Sequence, residues 1–308
     1  MIRIGVVNID ISHPRSFANI LHKEDRARYV AIYNDGFRTD EEVNAFMKEF
    51  SLEKRCSSLE ELADTVDIAF IQSCNWDRHL ELAKPILARG KPVFIDKPIV
   101  GSLKDCFELE DLVKHGARIY GSSSVRYAEE YASFLAMPKA ERGKIVSIFT
   151  SCGVDEFNYG VHIMEGIQGM LGPGAYSVQF IGGANRDGIY TESYFVKWSN
   201  GISVIYQIMT GVWQPFVVSV QTTKGTFNFQ VDTTKIYKSM LDKIFDAYDA
   251  GTELVPISHL TEAIKIYLAG KSSREKCGAE IKLDALELSD PGFDGFAFEK
   301  QYALKQGK

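Results

Sequence analysis

The chain has 308 residues, 45% of them hydrophobic, with a formal net charge of -6 and a pI near 5.6. That is enough apolar material for two cores, and it supplies no basic field, so nucleic acid is excluded as a partner. Five separated cysteines without a C-x-x-C pair, no basic-then-apolar leader and no membrane-length apolar run predict a soluble cytoplasmic protein with no disulfide framework and no metal site.

The first 122 residues alternate short apolar runs with amphipathic segments, the pattern of repeated βαβ units. Strands are expected near Ile2 to Val7, Tyr29 to Tyr33, Asp67 to Ser73, Pro92 to Ile95 and Ala117 to Gly121. Thr39 with Glu42, Ser58 with Glu61 and Ser102 with Asp105 read as helix starts. Val43, Phe46, Met47 and Phe50 then form one apolar helical face. A further helix is expected from Trp76 to Arg89, kinked at Pro85, because an interior proline loses a backbone hydrogen bond.

The first strand-to-helix turn runs Gly5-Val-Val-Asn8-Ile9-Asp10-Ile-Ser12-His13. Aligned with G-x-G-x-x-G, it puts Asn8, Asp10 and His13 at the glycine positions, so the fingerprint that lets backbone approach a pyrophosphate is absent. A carboxylate about 4 Å from a phosphate charge costs about 4 kcal/mol at an effective dielectric of 20. Either Asp10 turns inward as a helix cap, together with Ser12, or His13 and Arg15 offset its charge. Ser73-Cys74-Asn75 ends the third strand and, with His79 beyond it, offers a polar turn for ribose or phosphate; N-capping by Asn75 and a surface or capping role for His79 are the plainer readings.

Gly90-Lys-Pro-Val-Phe-Ile-Asp96-Lys97-Pro98 carries the strongest chemical signal. A strand buried on both faces shows its first polar residues where it leaves the sheet, and ligands of open α/β sheets bind at that edge. Pro98 restricts the backbone of Lys97, which holds the ammonium on stiff chain.

From about residue 123 the runs Ile145 to Cys152, Tyr176 to Ile181, Tyr190 to Trp198, Ile202 to Met209, Phe216 to Thr222 and Thr226 to Val231 predict a large, mostly antiparallel sheet. Asn200-Gly201 marks a hairpin. Helices are expected at Tyr237 to Tyr248 and Leu260 to Ala269. The fold class is thus α/β plus α+β, with a Rossmann-like domain over 1–122 and an α+β domain over 123–308 whose open sheet face favours a homo-oligomer. Asn158, His162 and Glu165 fall on one helical face by i, i+4, i+7 spacing, and His162 could move a substrate proton near neutral pH.

These pieces together resemble the Gfo/Idh/MocA family of glucose-fructose oxidoreductases and inositol dehydrogenases. The resemblance rests on Val66-Asp67-Ile-Ala-Phe-Ile with Asn75 and His79, on Asp96-Lys97-Pro98 in place of E-K-P, on Arg126, and on Asn158-Tyr159-Gly160-Val-His162-Ile-Met-Glu165, which is similar to D-x-G-x-H-x-x-D. It implies a Rossmann domain followed by an α+β domain, and hydride transfer between NAD or NADP and a sugar, cyclitol or related hydroxyl compound. Lys97 would touch substrate and nicotinamide ribose, and His162 would transfer the proton. His13, Arg126, Asn158, Tyr159 and Glu165 would line the substrate site. Asn8, Ile9, Asp10, Asn34, Ser73, Asn75, His79, Asp96 and Lys97 would line the cofactor site, with Asn34 replacing the acid that commonly holds the adenosine ribose. Two other functions share this scaffold: a cofactor-free sugar-binding or regulatory protein, and a lyase or glycosidase using a retained nicotinamide.

Overall fold

The computed structural model describes residues 1–307. They form two compact units, one of 1–122, 241–257 and 294–307, the other of 123–240 and 258–293. The expected 123–308 domain thus gives up two segments to the first unit. Both lack the alternating strand pattern that marks the second unit.

The first unit holds six parallel strands: β1 Ile2–Val7, β2 Ala27–Tyr33, β3 Lys54–Arg55, β4 Ile68–Ile71, β5 Val93–Ile95 and β6 Ile119–Gly121. Their order is β3-β2-β1-β4-β5-β6, so the chain reverses direction across the sheet between β1 and β4. β3, only two residues long and polar, is an edge strand with no apolar run to mark it. β4 and β5 are buried along their whole length, as a sheet covered on both faces requires. Thr39 closes a full capping box with Glu42, and Ser58 and Ser102 cap through Glu61 N–H and Asp105 N–H. The expected helix from Trp76 begins as a 3₁₀ turn over Trp76–Arg78 and is α-helical over His79–Ala88, with Pro85 inside it.

The second unit has β7 Ile145–Val154, β8 Ala175–Arg186, β9 Ile189–Trp198, β10 Ser203–Thr210, β11 Val217–Thr222, β12 Thr226–Gln230 and β13 Ile281–Lys282 in the order β12-β11-β7-β10-β9-β8-β13. Only β7 and β10 pair in parallel. Tyr194, Val196, Trp198, Val204, Tyr206, Ile208, Val218 and Val220 alternate onto one buried face. Helices Gly160–Leu171 and Ile257–Glu275 pack against it: a Cβ at Gly270 would come within 2.5 Å of the Tyr206 hydroxyl. Among the described residues no helix is long and apolar enough to cross a membrane.

Candidate functional site

The carboxyl ends of β1, β2, β4 and β5 gather the first cluster. Asn8 has a left-handed φ of 63°, a conformation asparagine tolerates better than most residues. Its side chain accepts the Asp35 N–H at 2.9 Å and donates to the Asp35 carboxylate at 3.1 Å, tying the first turn to the loop after β2. Asp35 is paired with Arg78 at 2.6 Å. Burial pushes the Asp35 carboxyl up, but Arg78 and Asn8 bring it below the usual carboxylate range. Asn34 makes a long contact with the Arg38 carbonyl at 3.4 Å.

Asp10 is not a helix cap. It is fully buried and accepts the Cys74 N–H at 3.3 Å. Its Oδ1 has no hydrogen-bond partner, and it faces Gly36 so closely that a Cβ there would lie 2.2 Å away. Burial therefore raises its carboxyl to about 6, against the pull of Cys74 N–H and with a push from Glu299. Ser12 stands at the cap position of helix His13–Leu21 without a side-chain cap bond, so no side chain of its own covers the helix-start amides. Asp10, Cys74 and Glu299 each bring one oxygen or sulfur to within 4.8 Å of the others. Burial, then Asp10 and Glu299, hold the Cys74 thiol protonated, which makes it a poor nucleophile.

A stability test follows from Asp10. A carboxyl raised from about 3.9 to near 6 on folding opposes the folded state above its unfolded pKa, and the cost grows as pH rises through that interval to about 3 kcal/mol. Asp10→Asn is expected to stabilise the protein by about 1 to 3 kcal/mol at pH 7.5 and by almost nothing at pH 4. Urea titrations at the two values measure this. A variant less stable by the same amount at both would show that the carboxylate is well accommodated.

Asp96 and Lys97 follow β5, both buried. Asp96 Oδ2 meets His13 Nδ1 at 2.7 Å and Oδ1 accepts the Lys97 N–H at 2.8 Å. Burial pushes the Asp96 carboxyl up, but His13 and Lys97 outweigh it and hold the group ionised to lower pH than usual. His79 is fully buried with its ring nitrogens on the carbonyls of Ile99 and Ser73 at 3.1 and 3.0 Å, so it fixes the chain behind the site. Burial lowers its pKa despite those carbonyls. Ser73 Oγ accepts the Asn75 N–H, and Asn75 donates to Glu299 at 2.9 Å. A cavity of about 390 Å³ lies beside the first turn, lined by Ile9, Ser12, Arg15, Arg38, Tyr302 and Gln306 among others.

The second unit holds the other cluster. Asn158 is not on the helix with His162 and Glu165, because that helix begins at Gly160. Asp155 accepts the Phe157 and Tyr159 N–H groups and forms a turn that holds Asn158 ahead of the first helical residue. Gly160 is required where it stands, since a Cβ would meet the Tyr267 ring at 2.8 Å. His162 Nδ1 lies 2.6 Å from Ser123 Oγ, and Glu165 takes the Ser123 N–H at 2.7 Å. Tyr159 and Phe216 flank the imidazole edge-on at 5.7 and 5.2 Å. Arg126 donates to the Glu165 carbonyl at 3.2 Å. Ser123, Asp35, Arg38 and Glu299 are the residues that sequence reasoning missed. A lone serine or acid carries no spacing signal until the fold supplies its partner.

The turn suits a dinucleotide in three respects. Asn8 supplies the left-handed backbone, Asp10 is turned into the protein, and two arginines line the cavity beside the helix start. A family model described as an oxidoreductase family with an NAD-binding Rossmann fold matches residues 2–124. A comparison with curated proteins finds no match. Among solved structures, one described as a probable dehydrogenase from Thermotoga maritima superposes with a TM-score of 0.81 at 16% identity, covering 92% of this chain and 100% of its own. A scyllo-inositol dehydrogenase from Lactobacillus casei, solved with NAD(H) and scyllo-inositol, gives 0.77 at 15% identity over 92% and 99%. An oxidoreductase from the same Thermotoga maritima gives 0.77 at 15% over 93% and 99%. At such identities the likeness establishes the fold.

Proposed function

We propose that the chain, whose residues 2–124 match the model of an oxidoreductase family with an NAD-binding Rossmann fold, is an NAD(P)-dependent oxidoreductase of the Gfo/Idh/MocA kind acting on a hydroxyl carbon of a sugar, cyclitol or related polyol. The observation that carries this reading is the inward turn of Asp10 onto the Cys74 N–H, which takes its carboxylate out of the phosphate's path. The amides at the start of helix His13–Leu21 would hold the pyrophosphate, and Arg15 and Arg38 would meet the adenosine half. When bound, the nicotinamide supplies the hydride acceptor or donor.

Lys97, on short chain between β5 and Pro98, orients the substrate hydroxyl and lowers the cost of its deprotonation. His162 exchanges the hydroxyl proton at Nε2 while Ser123 holds its Nδ1. Asn158 cannot act as an acid or base and is assigned a hydrogen-bonding role toward the polyol, beside Tyr159. Glu165 and Arg126, which hold the loop and helix around Ser123, are positioning residues. The open face of the second sheet is proposed to meet a second copy of the chain, and the free cysteines suit a reducing compartment such as the cytoplasm.

Calorimetric titration with NADH and with NADPH, followed by a screen of inositols and aldoses for nicotinamide reduction, tests the reading. Micromolar binding of one nicotinamide and turnover of a polyol are expected. No binding of either would leave a cofactor-free sugar-binding protein, and binding without net reduction would favour a lyase or glycosidase. Light scattering on the same preparation is expected to give a mass above that of one chain; the single-chain mass would refute self-association.

A further inference from the structure

We propose that the last helix, Gly295–Lys305, is an internal occupant of the dinucleotide crevice and covers its pyrophosphate-to-nicotinamide stretch until the cofactor displaces it. The proposal rests on the cofactor reading above. In an open parallel sheet the crevice lies outside the carboxyl ends of the strands where the order reverses, here β1 and β4. The helix begins against the chain leaving β4. Gly295 N–H donates to Asp77 at 2.8 Å, a Cβ at Gly295 would lie 2.4 Å from Asn75 Oδ1, and the Trp76 and Phe298 rings are 4.9 Å apart.

One turn on, Glu299 takes the Asn75 amide and brings its carboxylate beside Asp10, at the exit of β1. Beyond that, the Tyr302 ring stands 6.3 Å from Phe37, past the end of β2, and Tyr302 and Gln306 wall the cavity beside Arg15 and Arg38. Over about 16 Å the helix therefore crosses the exits of β4, β1 and β2 in turn. That is the order in which a dinucleotide would run from nicotinamide to adenosine, and the open cavity is left at the adenosine end.

The contact is one that can give way. Gly295 is the helix's one buried residue, and Phe296 and Leu304 are 59% and 64% exposed. At its centre the Glu299 carboxylate faces that of Asp10, and the two repel one another when ionised. A thin apolar contact opposed by repulsion holds a helix in place without locking it.

Calorimetry of NADH and NADPH binding to the full chain and to two full-length variants decides the matter. The double variant F298A/Y302A removes the aromatic anchors and is expected to tighten binding about tenfold, the gain for a site closed about nine-tenths of the time. Glu299→Gln keeps an acceptor for Asn75 but removes the repulsion, and is expected to weaken binding severalfold. NADH should also raise hydrogen exchange across 295–305 in the unsubstituted chain. If that chain binds NADH but F298A/Y302A binds no better, or worse, the helix walls the pocket or lies off the track and the proposal falls while the cofactor reading stands. If none of the three binds either nicotinamide, both fall.

Discussion

Lys97→Ala is expected to lower kcat/KM for the polyol found in the screen by about 10³-fold, within the range lost when a positioned proton-transfer or charge-stabilising group is removed. The size follows from its setting. Lys97 is 7% exposed at the end of a fully buried strand, so its ammonium is not one of many interchangeable surface charges. The protein should still fold, because Asp96 keeps His13 Nδ1 and the backbone N–H of residue 97. Circular dichroism and an unchanged urea midpoint verify that the fold is retained. Turnover within threefold of the parent would remove Lys97 from the chemistry and with it the core of the oxidoreductase reading.

A second large effect is expected in stability. His13→Ala takes the imidazole away from the Asp96 carboxylate, 2% exposed, and removal of one member of a buried pair costs about 3 kcal/mol. The pH dependence has a definite sign. Asp96 has a folded pKa below its unfolded value, so its contribution is present above about pH 4 and is lost as pH falls through the folded pKa. The deficit of His13→Ala should therefore be greatest near neutrality and shrink below pH 4, where the carboxyl is protonated in both proteins. Guanidinium titrations at pH 7 and pH 3.5 measure it, and a constant deficit would mean that His13 contributes packing on Phe17 rather than charge.

Asp96 and His13 also explain a departure from the family pattern. Aspartate is one methylene shorter than the glutamate of E-K-P, and here its carboxylate is met by an imidazole from the first turn, at a position where a glycine fingerprint would have no side chain. Two residues 83 positions apart in sequence thus meet across the sheet edge.

Much of this was legible in the chain because it depends on local spacing. The apolar runs at Ile2, Ile68 and Val93 mark strands buried on both faces, Thr39 with Glu42 announces its helix, and Asp96-Lys97-Pro98 shows where a strand must exit. The alternation from Tyr190 to Trp198 declares a sheet with one buried face. Other features depend on neighbours that sequence order does not supply. The direction of the Asp10 carboxylate was decided by Gly36 and Cys74, and Asn158 was kept off the helix by Asp155 and by the Gly160–Tyr267 contact. Ser123 acquired meaning only beside His162 and Glu165. The last helix has apolar residues at 296, 298, 302 and 304 that do not fall on one face, so periodicity does not reveal it. Its place against Asn75 and Asp10 is set by contacts spanning more than two hundred residues, which only the folded chain brings together.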